Sequence, residues 1–137
     1  MNIKATELLF SYGTLQDAEL QQILFGAQCR MRKAALPGWT LHVGPEGWLF
    51  IKPDPAGTVS GSLLELDAEA LRAADLWEET PTLYQREKVN VRLDDGSGLE
   101  AWAYTRRAAA GVPHPGGALS LFEREETLAA VRRSILT

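Results

Sequence analysis

At 137 residues with a formal net charge of −4, the chain is the size of one compact domain and is long enough to bury a core. Its composition, 45% hydrophobic and 23% charged, is that of a globular protein, and its slight acidity argues against a nucleic-acid surface, where a basic patch is expected. With one cysteine, Cys29, and two histidines, His42 and His114, it can form no internal disulfide and has too few ligands for a His/Cys zinc site, so no metal is expected.

In chain order, Met1 to Glu7 carries no signal-peptide stretch, and no apolar run approaches the ~20 residues of a membrane span, so a cytoplasmic protein without membrane contact is expected. Leu8-Leu9-Phe10 reads as a strand running into the turn Ser11-Tyr12-Gly13-Thr14-Leu15. Leu20, Ile23 and Leu24 then give Leu15 to Phe25 helical spacing, with Thr14 and Asp17 three apart as a weak capping box. Extended runs follow over Leu36 to Val43 and Gly47 to Ile51, the second ended by Pro53-Asp54-Pro55-Ala56-Gly57. Val59 to Leu66 is a further strand, after which Asp67 caps a helix from about Ala68 to Glu78. Val89, Val91 and Leu93 alternate into the turn 94–98, and Leu99 to Tyr104 returns as the second arm of a hairpin. Ala108 to Gly117 is a Gly/Pro-rich loop, and Leu119 to Ile135 an amphipathic helix. Strands outnumber helices and come as hairpins, which predicts a single α+β domain over 1–137 with a small mixed barrel-like sheet flanked by helices.

Two features point to chemistry. The Gly13 turn between strand and helix leaves backbone N–H groups unpaired, an arrangement suited to an anion. On the later helix, at ~100° per residue, Glu78 lies about 20° from Leu71 and about 40° from Ala74, on the core-facing stripe. Glu79 is rotated about 80° from Leu71 and Asp75 about 40°, so both reach water more easily. Burial at Glu78 disfavours the carboxylate and raises its pKa toward the range of a neutral-pH acid/base. The alternative is a structural ion pair from Glu78 to Arg86 or Lys88 on the next strand.

These residues carry a resemblance. Tyr12-Gly13-Thr14-Leu15, Leu36-Pro37-Gly38-Trp39, Val59-Ser60-Gly61, Asp75-x-x-Glu78, Tyr84-x-Arg86 and Ala101-Trp102-Ala103-Tyr104 occur in the order seen in the gamma-glutamylcyclotransferase-like family, which includes the AIG2-like proteins. The match runs from about Leu8 to Tyr104. It implies a barrel-like sheet with the Tyr-Gly-Thr-Leu loop and the glutamate facing one cavity, and it makes Glu78 the acid/base residue. The chain departs from the family in having Ala74-Asp75 where the family has Leu-Asp, and Glu79 where it has Gly. Ala74 loosens the packing behind the helix, and Glu79 adds a second carboxylate near the cavity rim.

The implied reaction is ring closure of a small gamma-glutamyl amide to 5-oxoproline with release of an amine, without a cofactor. Glu78 moves the proton, and the amides of Gly13, Thr14 and Leu15, with Tyr12, hold the substrate carboxylate or the developing oxyanion. Tyr84 and Tyr104 either line the cavity with hydroxyls or pack as strand aromatics. The competing function is a binding module that holds a small acidic metabolite or a partner's terminus in the same cavity without turnover. The partner expected is a small gamma-glutamyl molecule, with the chain a monomer or weak homodimer.

The remaining candidates carry less. Ser11 lacks a nucleophile elbow and a histidine. Cys29 has Arg30 and Arg32 close by, which could lower a thiol pKa, although a lone cysteine is usually packing. Arg30, Arg32 and Lys33 read as a solvated turn, and Trp39, Trp48 and Trp77 as core or cavity wall.

Overall fold

Side chains along a strand alternate between two faces, and here that period of two sorts the apolar residues into two cores. Phe10, Leu36, Val59, Leu63, Val89, Val91, Ala101 and Ala103 make one cluster, which fills the inside of a barrel. Alternate positions, among them Leu9, Leu64, Leu66 and Tyr104, make a second with Leu20, Leu71 and Ala74 of the helices, which lie against the barrel's outer wall.

The computed structural model describes residues 6–44, 49–80, 82–109 and 111–113. Its elements are β1 (Glu7–Ser11), a 3-10 turn (Thr14–Gln16), α1 (Ala18–Phe25), β2 (Arg30–Val43), β3 (Leu49–Leu66), α2 (Ala68–Trp77), β4 (Gln85–Leu93), β5 (Gly98–Thr105) and β6 (Val112–Pro113). The sheet order is β3-β1-β5-β4-β2-β6, and a long antiparallel β2–β3 pairing joins the two sides. Five strands thereby close on themselves. All pairings are antiparallel except that of β1 with β5, and β6 adds to β2 opposite His42 and Val43. Closure brings the barrel's strands so close that Gly61 has no space for a side chain: a Cβ there would lie 2.3 Å from the Ser11 carbonyl oxygen and 2.9 Å from the Phe10 ring. Gly61→Ala is expected to destabilise the protein by about 1–3 kcal/mol through overpacking, read from the denaturation midpoint.

Several expectations need correction. The first helix does not run from Leu15. It begins at Ala18, because Asp17 adopts an extended conformation and its carboxylate accepts the N–H groups of Glu19 (2.9 Å) and Leu20 (3.1 Å), which makes Asp17 the N-cap. The strand after Phe50 does not end at Pro53. β3 continues to Leu66, and the register jumps from Trp39↔Pro53 to Pro37↔Thr58, leaving 54–57 out of the β2 ladder as an irregularity rather than a terminus. Arg30, Arg32 and Lys33 are exposed as expected but sit on β2, paired with β3, not in a turn. Trp48, residues 114–117 of the Gly/Pro-rich loop and the helix expected over Leu119 to Ile135 lie outside the described residues. Among the described residues no helix is long and apolar enough to cross a membrane.

The end of α2 has a geometry that periodicity alone does not reveal. Glu79 N–H donates to the Leu76 carbonyl at 3.2 Å and Thr80 N–H to the Asp75 carbonyl at 2.9 Å, the paired bonds of a Schellman termination. Its left-handed position is filled by Glu79, with φ of 53°. This conformation disfavours a residue with a Cβ, so Glu79→Gly is expected to stabilise the protein by about 1 kcal/mol, checked by chemical denaturation.

Candidate functional site

Beyond Ser11 the chain leaves the barrel wall through Tyr12 and Gly13 into the 3-10 turn. The turn's own bonds start with Gln16 N–H to the Gly13 carbonyl (3.2 Å) and Asp17 N–H to the Thr14 carbonyl (3.0 Å), so the amides of Thr14 and Leu15 stand upstream of them. A Cβ built on Gly13 would meet nothing within 4 Å, so this turn fronts open space. Trp77 at the end of α2 donates its indole N–H to the Thr14 hydroxyl at 3.2 Å, tying the turn to the segment that carries Glu78. The Leu15 side chain is packed in the helix-side core, so contact with a ligand could come only from its backbone.

Glu78 is the C-cap of α2, its N–H bonded to the Ala74 carbonyl at 2.9 Å. The residue keeps partial access to solvent, yet protein crowds its carboxyl. That burial pushes its pKa from 4.5 to about 8. Among the described residues no hydrogen bond or ion pair reaches the carboxylate. The structural ion pair weighed above is therefore corrected: Arg86 bonds Asp75 at 3.1 Å, and the Lys88 ammonium lies 4.4 Å from the centre of the Trp102 ring.

All three tyrosines of the chain lie in this region. Tyr12 donates its hydroxyl to the Tyr104 carbonyl at 2.7 Å, Tyr84 to the Leu49 carbonyl at 2.5 Å, and Tyr104 to Asp75 Oδ1 at 2.7 Å. Burial raises the Tyr12 phenol well above its ordinary pKa, with Tyr84 and Glu78 adding to the shift and Arg106 opposing it. Tyr104 is raised by burial, by Asp75 and by Glu78, with Arg86 opposing. The Glu78 charge is thus felt at both hydroxyls. Arg106, after β5, lies over the rings of Phe50 (5.6 Å) and Tyr84 (5.5 Å).

Tyr12 feels the charges of Tyr84 and Glu78, Tyr104 feels that of Glu78, and Thr14 is bonded to Trp77, the neighbour of Glu78 in the chain. Asp75 keeps part of its side chain in water, as expected, and is also engaged by both Tyr104 and Arg86. Arg106 escaped sequence reasoning because its only signal was a charge after an aromatic strand, a common surface pattern. Cys29 follows the packing alternative: it lies against the helix-side core, and burial first, with Glu65 adding, pushes its thiol up, while Arg30 pairs with Glu65 at 3.7 Å. Trp39 is buried in the barrel-side core and Trp77 packs on the helix-side core.

Comparison with known proteins gives a consistent result. The sequence model of the family described as "Gamma-glutamyl cyclotransferase, AIG2-like" matches residues 9–123. The chain is 35% identical over 54 residues to a Methanocaldococcus jannaschii protein provisionally named a gamma-glutamylcyclotransferase, a match covering 39% of this chain and 45% of that one. It is 27% identical over 113 residues to the gamma-glutamylaminecyclotransferase of Mus musculus, covering 71% of this chain and 76% of that one. The solved structure of a Mus musculus AIG2-like protein superposes with a TM-score of 0.67 at 21% identity, over 82% of this chain and 88% of that chain, which shows the shared fold.

Proposed function

The chain belongs to the gamma-glutamyl cyclotransferase, AIG2-like family, and from that premise we propose that it converts a small gamma-glutamyl amide to 5-oxoproline and a free amine, with Glu78 as general acid/base. The observation that carries this reading is the crowded Glu78 carboxyl, without a partner among the described residues, whose pKa of about 8 suits a group that must both take and return a proton near neutral pH.

The substrate contains its own nucleophile. Glu78 takes a proton from the α-ammonium, and the freed amine attacks the γ-carbonyl carbon. A C–N bond forms, closing a five-membered ring; Glu78 passes its proton to the leaving nitrogen, takes the second proton from the ring nitrogen as the original amide C–N bond breaks, and gives it to the departing amine, so that the ring nitrogen ends as a lactam N–H and the amine as an ammonium. No water is consumed. Holding the gamma-glutamyl chain folded back for this closure can supply ~7–11 kcal/mol of the barrier in well-oriented systems. The amides at Gly13, Thr14 and Leu15 would hold the substrate carboxylate or the oxyanion, since they precede the bonds of the 3-10 turn and border open space. Tyr12, Tyr84 and Tyr104 would line the cavity.

Incubation with a panel of gamma-glutamyl amino acids and gamma-glutamylamines tests the reading, with 5-oxoproline as the product sought. Release from any of them supports the enzyme, whereas saturable binding without release supports the binding module. Because the working form of Glu78 is the carboxylate, kcat/KM should climb with pH and level off above about 8. A profile already flat from pH 5 would place the base elsewhere.

A further inference from the structure

Asp75 lies three residues before Glu78, at the last turn of α2, and both of its carboxylate oxygens are taken. Oδ1 accepts the Tyr104 hydroxyl at 2.7 Å and Oδ2 pairs with Arg86 Nη1 at 3.1 Å. The two partners reach it together because Arg86 and Tyr104 stand directly opposite one another in the β4–β5 ladder and so share a face. Arg86 is further held by the Trp102 ring, 4.5 Å from its guanidinium to the ring centre, and Trp102 is anchored by its indole N–H on Glu7 at 3.1 Å. The cross-strand pair, the indole and the helix end thus lock one carboxylate.

The consequence falls on Tyr104. A phenol has a single proton, and this one is committed to Asp75. Its oxygen, close enough to Glu78 to feel its charge, then has only lone pairs left to offer. The other phenol near Glu78, Tyr12, spends its proton on the Tyr104 carbonyl, and Tyr84 spends its own on the Leu49 carbonyl. A hydroxyl donating to Glu78 would stabilise its carboxylate and weaken it as a base.

We propose that Asp75, fixed by Arg86, is a positioning residue that draws the Tyr104 hydroxyl proton away from Glu78, so that the Tyr104 oxygen serves beside Glu78 only as an acceptor, suited to an ammonium group. Its role in the reaction rests on the proposed cyclotransferase activity, in which that ammonium is the substrate's α-amine. Its effect on Glu78 does not. Tyr12, from the turn after β1, and Tyr104, from β5, both feel the Glu78 charge; Tyr84 before β4 and Arg106 after β5 act in turn on Tyr12, and Asp75 from α2 and Arg86 from β4 on Tyr104.

The test is the titration of the Glu78 carboxyl carbon by NMR in protein carrying carbon-13 glutamate, which needs no substrate. Asp75→Ala frees the hydroxyl to turn to Glu78, and the midpoint is expected to fall by about one pH unit or more. Removing the Asp75 charge alone also lowers it, so the double variant Asp75→Ala/Tyr104→Phe decides: without the hydroxyl, most of the shift should be reversed, and Tyr104→Phe alone should titrate near the wild type. Asp75→Leu, with and without Tyr104→Phe, provides the same comparison with a side chain of similar size that cannot accept the hydroxyl proton. An Asp75 variant that titrates as wild type, or a double variant that stays as low as the single, overturns the positioning role. Neither result bears on 5-oxoproline release, and failure of that release would leave the titration result standing.

Discussion

Glu78→Gln is expected to lose turnover by ~10²–10⁴-fold, the usual cost of removing a general base, while becoming more stable than the wild type at neutral pH. The stability gain follows from the direction of the pKa shift. Below the ordinary value of 4.5 the carboxyl is protonated in both folded and unfolded chains and costs nothing. Between 4.5 and about 8 the unfolded chain ionises while the native carboxyl keeps its proton, so stability falls as pH rises, and above about 8 the loss is complete. The slope is at most about 1.4 kcal/mol per pH unit, which amounts to roughly 3 kcal/mol at pH 7, an upper figure because the residue keeps some solvent contact. Gln does not titrate. Melting curves of the two proteins should therefore nearly coincide near pH 4 and separate as pH rises toward 8, with the variant the more stable. A less stable variant would point to a structural ion pair instead. A folded Glu78→Gln protein with wild-type turnover of an established substrate would falsify the mechanism and turn the search to Glu79 or Asp75.

Gly13→Val is expected to cut kcat/KM by about 10–100-fold, with little change in melting temperature, on the footing that charge-assisted hydrogen bonds contribute ~1.5–3 kcal/mol each. The structure separates the two effects. Gly13 has φ of −136°, outside the left-handed region. Nothing lies within 4 Å of an added Cβ, so the valine would project into the space in front of the turn rather than into the core. Substrate binding and turnover unchanged in this variant would remove the turn from the site.

How legible the molecule was in its sequence depended on the range of the interactions. Glu78 could be read because helical period relates it to Leu71 and Ala74, which are buried as expected. The Gly13 turn could be read because strand, glycine and cap are neighbours in the chain. The place of Glu79 could not: periodicity put it toward the rim, but its left-handed backbone is set by the Schellman bonds that close α2, and the glycine typical of the family at this position suits that conformation without strain. The length of β3 was missed because prolines usually end a ladder, and here the strand absorbs them beside an irregularity.

By itself, then, the sequence determined what residues two, three or four apart can encode: the alternating faces of the strands, the inward stripe of α2 and the presence of a carboxylate on it. Tertiary structure alone decided that this carboxylate has no partner among the described residues. The cations that might have paired with it were drawn elsewhere, Arg86 to Asp75 and Lys88 to the Trp102 ring, once β4 and β5 paired in register and the end of α2 brought Asp75 to them. The hydrogen bond from Tyr104 to Asp75 spans 29 positions and the one from Tyr12 to the Tyr104 carbonyl 92, so neither leaves a mark in local pattern. Burial with its competing donors directed elsewhere is what sets the Glu78 proton near neutral pH, and that depends on which distant groups barrel closure brings together.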